Sequence, residues 1–245
     1  MNKAITEIAK HKIDVIVPVF NEEDGIQSFY DRMQKIPLQF NLTFIDNAST
    51  DNSLTILDSL DSVSIIRHSE NEGYGGSILD GIRHSNGEII VIIDADGEYP
   101  PESIPELIAH LETADVVYAS RFLDKDKVEM PFLKKLGNML ITGLFNRLFN
   151  QNLTDLYTGF KALKRSALEG IVLEKKGFEH VLEMGARLSE KGIKLSEVHV
   201  PFTPRSTGRS KMRHFRETSK YIYQVFYFYL QSKMAIKSSE KRNCE

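Results

Sequence analysis

The sequence predicts an α/β fold in which a mostly parallel sheet is flanked by helices and followed by an amphipathic C-terminal segment. Three observations predict it. From Ile13 onward, short apolar runs alternate with longer helix-like stretches. The runs are mostly rich in Val and Ile, as suits strands buried on both faces of a sheet. Several of them end in clusters of Asp, Asn and Glu, and open α/β sheets bind ligands outside the carboxyl ends of their strands.

In chain order, the strands are expected at residues 14–19, 42–46, 63–68, 89–94 and 116–120. Helices are expected between them at about 22–36, 51–60, 76–85 and 101–111, the last opened by a Pro-Pro pair where a missing N–H costs little. After Arg121 the pattern loosens. Residues 123–129 are charged and read as a loop, followed by an amphipathic helix near 134–149 and a short strand around 160–163. A helix near 179–191 and a late strand at 195–200 complete this stretch. The polar, basic run TPRSTGRSKM (203–212) reads as a loop, and the aromatic segment 221–230 follows. No internal repeat or long linker divides the body, so one domain is expected over residues 1–212, with a basic, aromatic helix and tail over 213–245.

Composition bounds the function. The chain has 245 residues, 41% hydrophobic and 27% charged, with net charge −3, close to globular averages. Collagen-like, disulfide-scaffold and mainly disordered classes are thereby excluded. The single cysteine, Cys244, leaves no internal disulfide, which fits a cytoplasmic protein. The longest apolar runs, 89–93 and 225–230, fall far short of the roughly 20 residues of a membrane-spanning helix, and MNKAITEIAKHK lacks the apolar core of a secretory signal. Charge is uneven: residues 203–245 hold 10 Lys and Arg against 3 Asp and Glu, net +7, while the first 202 hold 21 against 31, net −10. A basic end suits an anionic lipid surface or a phosphorylated substrate; a nucleic-acid partner is not expected.

The richest stretch is IIVIIDADGEYPPE (89–102). An apolar strand delivers Asp94 and Asp96 at its carboxyl end, and residues i and i+2 share a face of a regular strand, so both carboxylates can approach one ligand. A turn at Gly97 can add Glu98 as a third oxygen donor. Such donors suit Mg²⁺ or Mn²⁺, usually held together with substrate phosphates. PVFNEE (18–23) and DNASTD (46–51) place further polar clusters at the same sheet edge. Asn21 is a candidate cap for the helix that follows it, as are Thr50 and Asp51 for theirs. NEGYGG (71–76) precedes a helix: its amides can approach a phosphate, or its glycines can provide a tight turn for close passage of a ligand.

Together with Ser120-Arg121, TDLYTGFK (154–161) and RSTGRSK (205–211), these motifs resemble the family 2 glycosyltransferases of GT-A fold, nearest to the dolichyl-phosphate and polyprenyl-phosphate sugar synthases. The resemblance runs from about Ile13 to Met212. It implies a nucleotide-diphosphate sugar donor (GDP or UDP), a divalent metal and a dolichyl or undecaprenyl phosphate acceptor. It assigns Pro18, Phe20, Glu22 and Asp46 to the donor, with Asp46 at the base or ribose, and Ala95 within the same donor site. Asp94 and Asp96 hold metal and diphosphate, with Glu98 where relatives often have Gln. Arg121 meets the acceptor phosphate or the donor diphosphate, Lys134 and Lys135 stand where the lipid-phosphate branch often has Arg, and Arg205 with Lys211 closes over the site. Asn47 stands where many relatives have a second Asp.

The chemistry expected is inversion by a single displacement, as the resemblance implies. A phosphate monoester, with a second pKa of about 6, is already largely dianionic at neutral pH and needs no general base. A saccharide or other hydroxyl acceptor usually needs one, and Asp155 is the candidate. None of the seven histidines lies in the motifs, which favours the phosphate. Processive polysaccharide synthesis is disfavoured, since a chain without Trp cannot carry the QxxRW motif. A binding module that has lost turnover and a nucleotidyltransferase are the remaining rivals. The aromatic segment 221–230 either packs on the body or, with its flanking basic residues, lies on a membrane surface.

Overall fold

Strand β1 (Ile13–Val19) lies inside the sheet, and its alternating side chains feed two separate cores. The computed structural model describes residues 10–124, 130–204 and 214–242. Seven strands form one sheet in the order β3-β2-β1-β4-β6-β5-β7: β2 (Asn41–Asp46), β3 (Ser64–Arg67), β4 (Ile89–Ile92), β5 (Val116–Ser120), β6 (Lys161–Lys164) and β7 (Leu195–His199). Six run the same way and β6 runs against them, between β4 and β5. The chain re-enters the sheet for β6 at the edge where β4 and β5 end, so β6 has to run back. The mostly parallel sheet expected from sequence is thus present, with β6 its antiparallel strand.

Helices α1 (Ile26–Met33), α2 (Ser53–Asp58), α3 (Gly73–His84) and α4 (Ile104–His110, after a 3₁₀ turn at Pro101–Ser103) connect the first five strands. Then come α5 (Phe132–Phe149), the short α6 (Arg165–Leu168), α7 (His180–Glu190) and the long α8 (His214–Arg242). Val15, Val17 and Val19 pack with Ile26, Phe29 and Met33 of α1 and with Ile104 and Leu107 of α4. Ile16, Ile90 and Ile92 face the other way, onto Ile78 of α3, Ile141 and Phe145 of α5, and Leu182 of α7. Each such side chain contributes about 1.5–3 kcal/mol of burial free energy.

Helix α8 packs on α5 and α7 through Tyr221, Val225 and Phe228, which are all buried. Tyr223, Phe226 and Tyr227 of the same helix are exposed with Leu230 and Met234, a spacing that keeps them on one helical face. On α5, Phe132, Leu133, Leu136, Met139 and Leu140 form a second exposed apolar stripe. The aromatic segment thus packs on the body through one face, as one of the two expectations had it, and leaves the other face exposed. Among the described residues no helix is long and apolar enough to cross a membrane.

Candidate active site

The ends of β1, β2, β4 and β5 and the start of β6 border a cavity of about 620 Å³. The sheet edge contributes Pro18, Phe20, Glu22, Asn47, Asp94, Ala95, Asp96, Glu98, Arg121, Thr158 and Gly159. Helix α3 adds Gly73, Tyr74 and Ser77, and the facing wall carries Leu133, Lys134, Gly137, Asn138 and Ile141 of α5, Val181 of α7 and Tyr221 of α8. Of the residues expected from sequence, Pro18, Phe20, Glu22, Asp94, Ala95, Asp96, Glu98, Arg121 and Lys134 meet here. Asp46, Lys135 and Asp155 do not line the cavity. Arg205 and Lys211 lie outside the described residues.

The polar turns are tied to one another. Asn21 adopts a left-handed backbone (φ 54°) and does not cap α1. Its N–H donates to Ser49 Oγ at 3.0 Å, and its Oδ1 accepts from the Thr50 N–H at 2.7 Å. The Glu22 N–H donates to Ser53 Oγ at 2.8 Å, and Glu23 Oε2 accepts from the Asn52 N–H at 2.9 Å. These bonds delay α1 until Ile26 and hold Phe20 and Glu22 at the cavity. Asp46 is spent on its own turn, accepting from the Ser49 N–H at 3.3 Å. Next to it, Asn47 Oδ1 accepts from the Glu72 N–H at 2.8 Å and so fixes the start of α3.

The glycines of NEGYGG serve packing. A Cβ on Gly75 would stand 2.3 Å from the Lys175 carbonyl oxygen and one on Gly73 2.4 Å from that of Lys176, so the backbones touch. The Gly73 N–H already donates to Asn71 Oδ1 at 2.9 Å and the Gly76 N–H to the Lys176 carbonyl at 3.0 Å. Of the two roles open for this turn, direct phosphate binding by these amides is thereby disfavoured.

Asp94 comes two residues after the end of β4, and its carboxylate lies over Gly159: a Cβ on that glycine would come within 2.1 Å of Asp94 Oδ2. Asp96 Oδ1 accepts from the Glu98 N–H at 2.9 Å, bracing the turn. The hydroxyl of the half-buried Tyr74 is buried, and its pKa is pushed well above the ordinary value by burial and then by Asp94, so it stays protonated beside the carboxylate. Among the described residues no group of three or more His, Cys, Asp and Glu side chains is close enough together to hold a metal ion by itself. The carboxylates of Asp94 and Asp96, the former seated where only glycine leaves room, are hard oxygen donors that fit Mg²⁺ or Mn²⁺. Such ions commonly take one or two carboxylates and complete their shell with water and substrate phosphate.

Arg121 is nearly buried. Its Nε and one terminal nitrogen donate to Asp155 Oδ2 and Oδ1 at 2.6 and 2.9 Å, a bidentate pair. The guanidinium also lies over the rings of Tyr99, Phe122 and Phe202 at 5.9, 5.4 and 5.4 Å. Burial opposes its charge, but Asp155 outweighs that and raises its pKa above the ordinary value. Asp155 is fully buried and accepts a further bond from Asn138 Nδ2 at 2.7 Å. It orients Arg121 and has no oxygen in the cavity wall, so the general base proposed from sequence for a hydroxyl acceptor is corrected to a structural anion.

Sequence reasoning missed Tyr74, Tyr99, Asn138, Gly159 and Lys161. The motif TDLYTGFK was singled out, yet its glycine and lysine carry no signal until the strand after them is known to run against β4.

The profile of glycosyl transferase family 2 matches residues 14–172. A dolichol-phosphate mannosyltransferase from Pyrococcus furiosus is 29% identical over 87% of this chain, and the chain spans 63% of that relative's length. An undecaprenyl-phosphate mannosyltransferase from Micrococcus luteus is 27% identical over 82% of this chain and 87% of its own. Among solved structures, glucosyl-3-phosphoglycerate synthase from Mycobacterium tuberculosis with UDP superposes with a TM-score of 0.69 at 18% identity, covering 93% of this chain and 83% of that one. The same enzyme with Mn²⁺, UDP-glucose and phosphoglyceric acid gives 0.69 at 18%, covering 94% and 82%. At that identity the likeness speaks to the fold, a GT-A architecture. The match over residues 14–172 decides the family, and the chain belongs to glycosyl transferase family 2.

Proposed function

We propose that this protein transfers a sugar from a GDP- or UDP-linked donor to a polyprenyl phosphate at a membrane surface. The observation that carries this reading is the cavity's composition. Carboxylates at the sheet edge share the cavity with Arg121 beside them and Lys134 on the facing wall, and the only expected base, Asp155, is locked to Arg121. A phosphate acceptor is already a nucleophile at neutral pH and requires cation contacts rather than a base. The names of the Pyrococcus and Micrococcus relatives support the same acceptor class.

Pro18, Phe20 and Glu22 bind the nucleotide side of the donor. Asp94 and Asp96 hold Mg²⁺ or Mn²⁺ against its diphosphate. When bound, that ion acts as a Lewis acid for the charge that grows on the leaving group. Arg121, aimed by Asp155 and Asn138, receives acceptor phosphate or donor diphosphate, and Lys134 adds charge from α5. Arg205 and Lys211 are assigned to the same anionic groups. The exposed stripes of α5 and α8 belong to the helices that line the cavity through Leu133 and Tyr221. Continuity with the acceptor wall makes a bilayer surface their occupant, with apolar side chains in the interface.

Incubation with Mn²⁺ or Mg²⁺ and a panel of nucleotide sugars, with and without polyprenyl phosphate, tests the reading by nucleotide release. Release stimulated by the lipid phosphate is expected; stimulation by a saccharide alone overturns it.

A further inference from the structure

Lys161 is a charged side chain in the core of the sheet, with a relative exposure of 2%. It opens β6 and pairs with Ile92 of β4. Continued two residues past the end of β4, that register sets Asp94 against Gly159, whose Cβ would meet the carboxylate, so Asp94 lies on the face of Lys161. Nζ donates to the Thr158 carbonyl at 2.8 Å and lies 5.1 Å from the centre of the Tyr118 ring. None of the ion pairs among the described residues includes it. Burial draws its pKa down to about 8, while Asp94 and Asp155 pull the other way. His180, also buried, stays neutral beside it, held down by burial and by Lys161 itself. A buried ammonium is costly unless it serves a nearby charge, and of the two carboxylates that favour it Asp94 acts more strongly than Asp155.

We propose that Lys161 is a positioning residue that shares the charge of Asp94 in the donor-free protein, so that the carboxylate holds a divalent cation weakly until a nucleoside diphosphate arrives with it. This rests on the reading of Asp94 as a metal-holding residue. The physical basis is like-charge repulsion across a low-dielectric interior, where an ammonium near the site raises the free energy of a bound dication. A nucleoside diphosphate brings the negative charge that offsets it. The nucleotide sugar and the ion are then taken up together, and Asp94 is kept seated over Gly159 in the meantime.

The test reads Mn²⁺ binding directly, from the paramagnetic resonance signal of the free ion, in the full chain with and without UDP or GDP. Wild type is expected to bind Mn²⁺ weakly alone and at least tenfold more tightly with nucleotide. Lys161→Met should raise the affinity without nucleotide about tenfold and shrink the nucleotide effect. Lys161→Gln, which keeps a donor for the Thr158 carbonyl but no charge, should behave as Lys161→Met does. It also serves if the Met variant does not fold. A Gln variant that behaves as wild type overturns the proposal, since the hydrogen bond and not the charge would then matter. Affinity within threefold of wild type in both variants overturns it as well. Asp94→Asn separates the two layers: if it abolishes Mn²⁺ binding while the Lys161 variants change nothing, only this inference fails. If Asp94→Asn leaves binding intact, the metal assignment itself fails.

Discussion

Replacing Gly159 by Ala probes the cavity at its tightest point. The backbone at Gly159 lies outside the left-handed region, so alanine introduces no conformational strain there. The new Cβ would stand 2.1 Å from Asp94 Oδ2 and 3.0 Å from Asp94 Cγ. Restoring an ordinary contact of about 3.4 Å requires the oxygen to withdraw by about 1.3 Å. The carboxylate sits at the end of a rotatable side chain, so it yields instead of the sheet, and stability should change by less than about 1 kcal/mol. A displacement of about 1 Å in a group that holds reactants can lower a rate about 100-fold. Turnover measured as nucleotide release, beside a thermal melt, should therefore show a loss of about that size with a melting temperature near wild type. Activity within twofold of wild type would refute the reasoning, because Asp94 would not need its present seat.

Asp155→Ala should destabilise by about 3–5 kcal/mol in urea unfolding, because it leaves the buried Arg121 guanidinium uncompensated; a loss under 1 kcal/mol would show that Arg121 relaxes into solvent. His180 is held neutral by burial, with its pKa lowered from 6.5 to about 3. The unfolded chain takes up a proton between these values and the folded one does not, so stability falls as pH drops from 6.5 towards 3, by about 5 kcal/mol at most. His180→Leu should flatten that part of the pH–stability curve; an unchanged slope would place the acid sensitivity elsewhere. Leu136→Asp combined with Leu140→Asp alters only exposed positions on α5. It should abolish flotation with anionic vesicles while leaving the melt unchanged, and retained flotation would remove α5 from the membrane-facing surface.

Much of this architecture was legible because parallel strands buried on both faces are written as continuous apolar runs. β1, β2, β4 and β5 lie within two residues of their expected bounds, and DADGE falls at the edge where such sheets bind ligands. Helix starts were less legible. The polar residues before α1 look like helix-capping material, yet Asn21, Glu22 and Glu23 are consumed by bonds to residues 49–53, which no local pattern encodes. β6 is a four-residue strand whose direction depends on where the chain re-enters the sheet, and with it went the approach of Asp94 to Gly159. Arg121 and Asp155 are 34 residues apart, and each alone reads as an ordinary surface charge. Only the fold shows that one orients the other, which turns a candidate base into a fixed anion.

The central claim is that the acceptor is a phosphate, made nucleophilic by its own charge and received by Arg121. It is tested most directly by offering the protein, with Mn²⁺ and one radiolabelled nucleotide sugar, either a polyprenyl phosphate or the matching polyprenol, and counting label in the organic phase. The account predicts label on the phosphate and none above background on the alcohol, with Arg121→Ala removing the transfer. Equal labelling of the polyprenol would contradict it, because a hydroxyl acceptor needs a base and Asp155 is not available to serve as one.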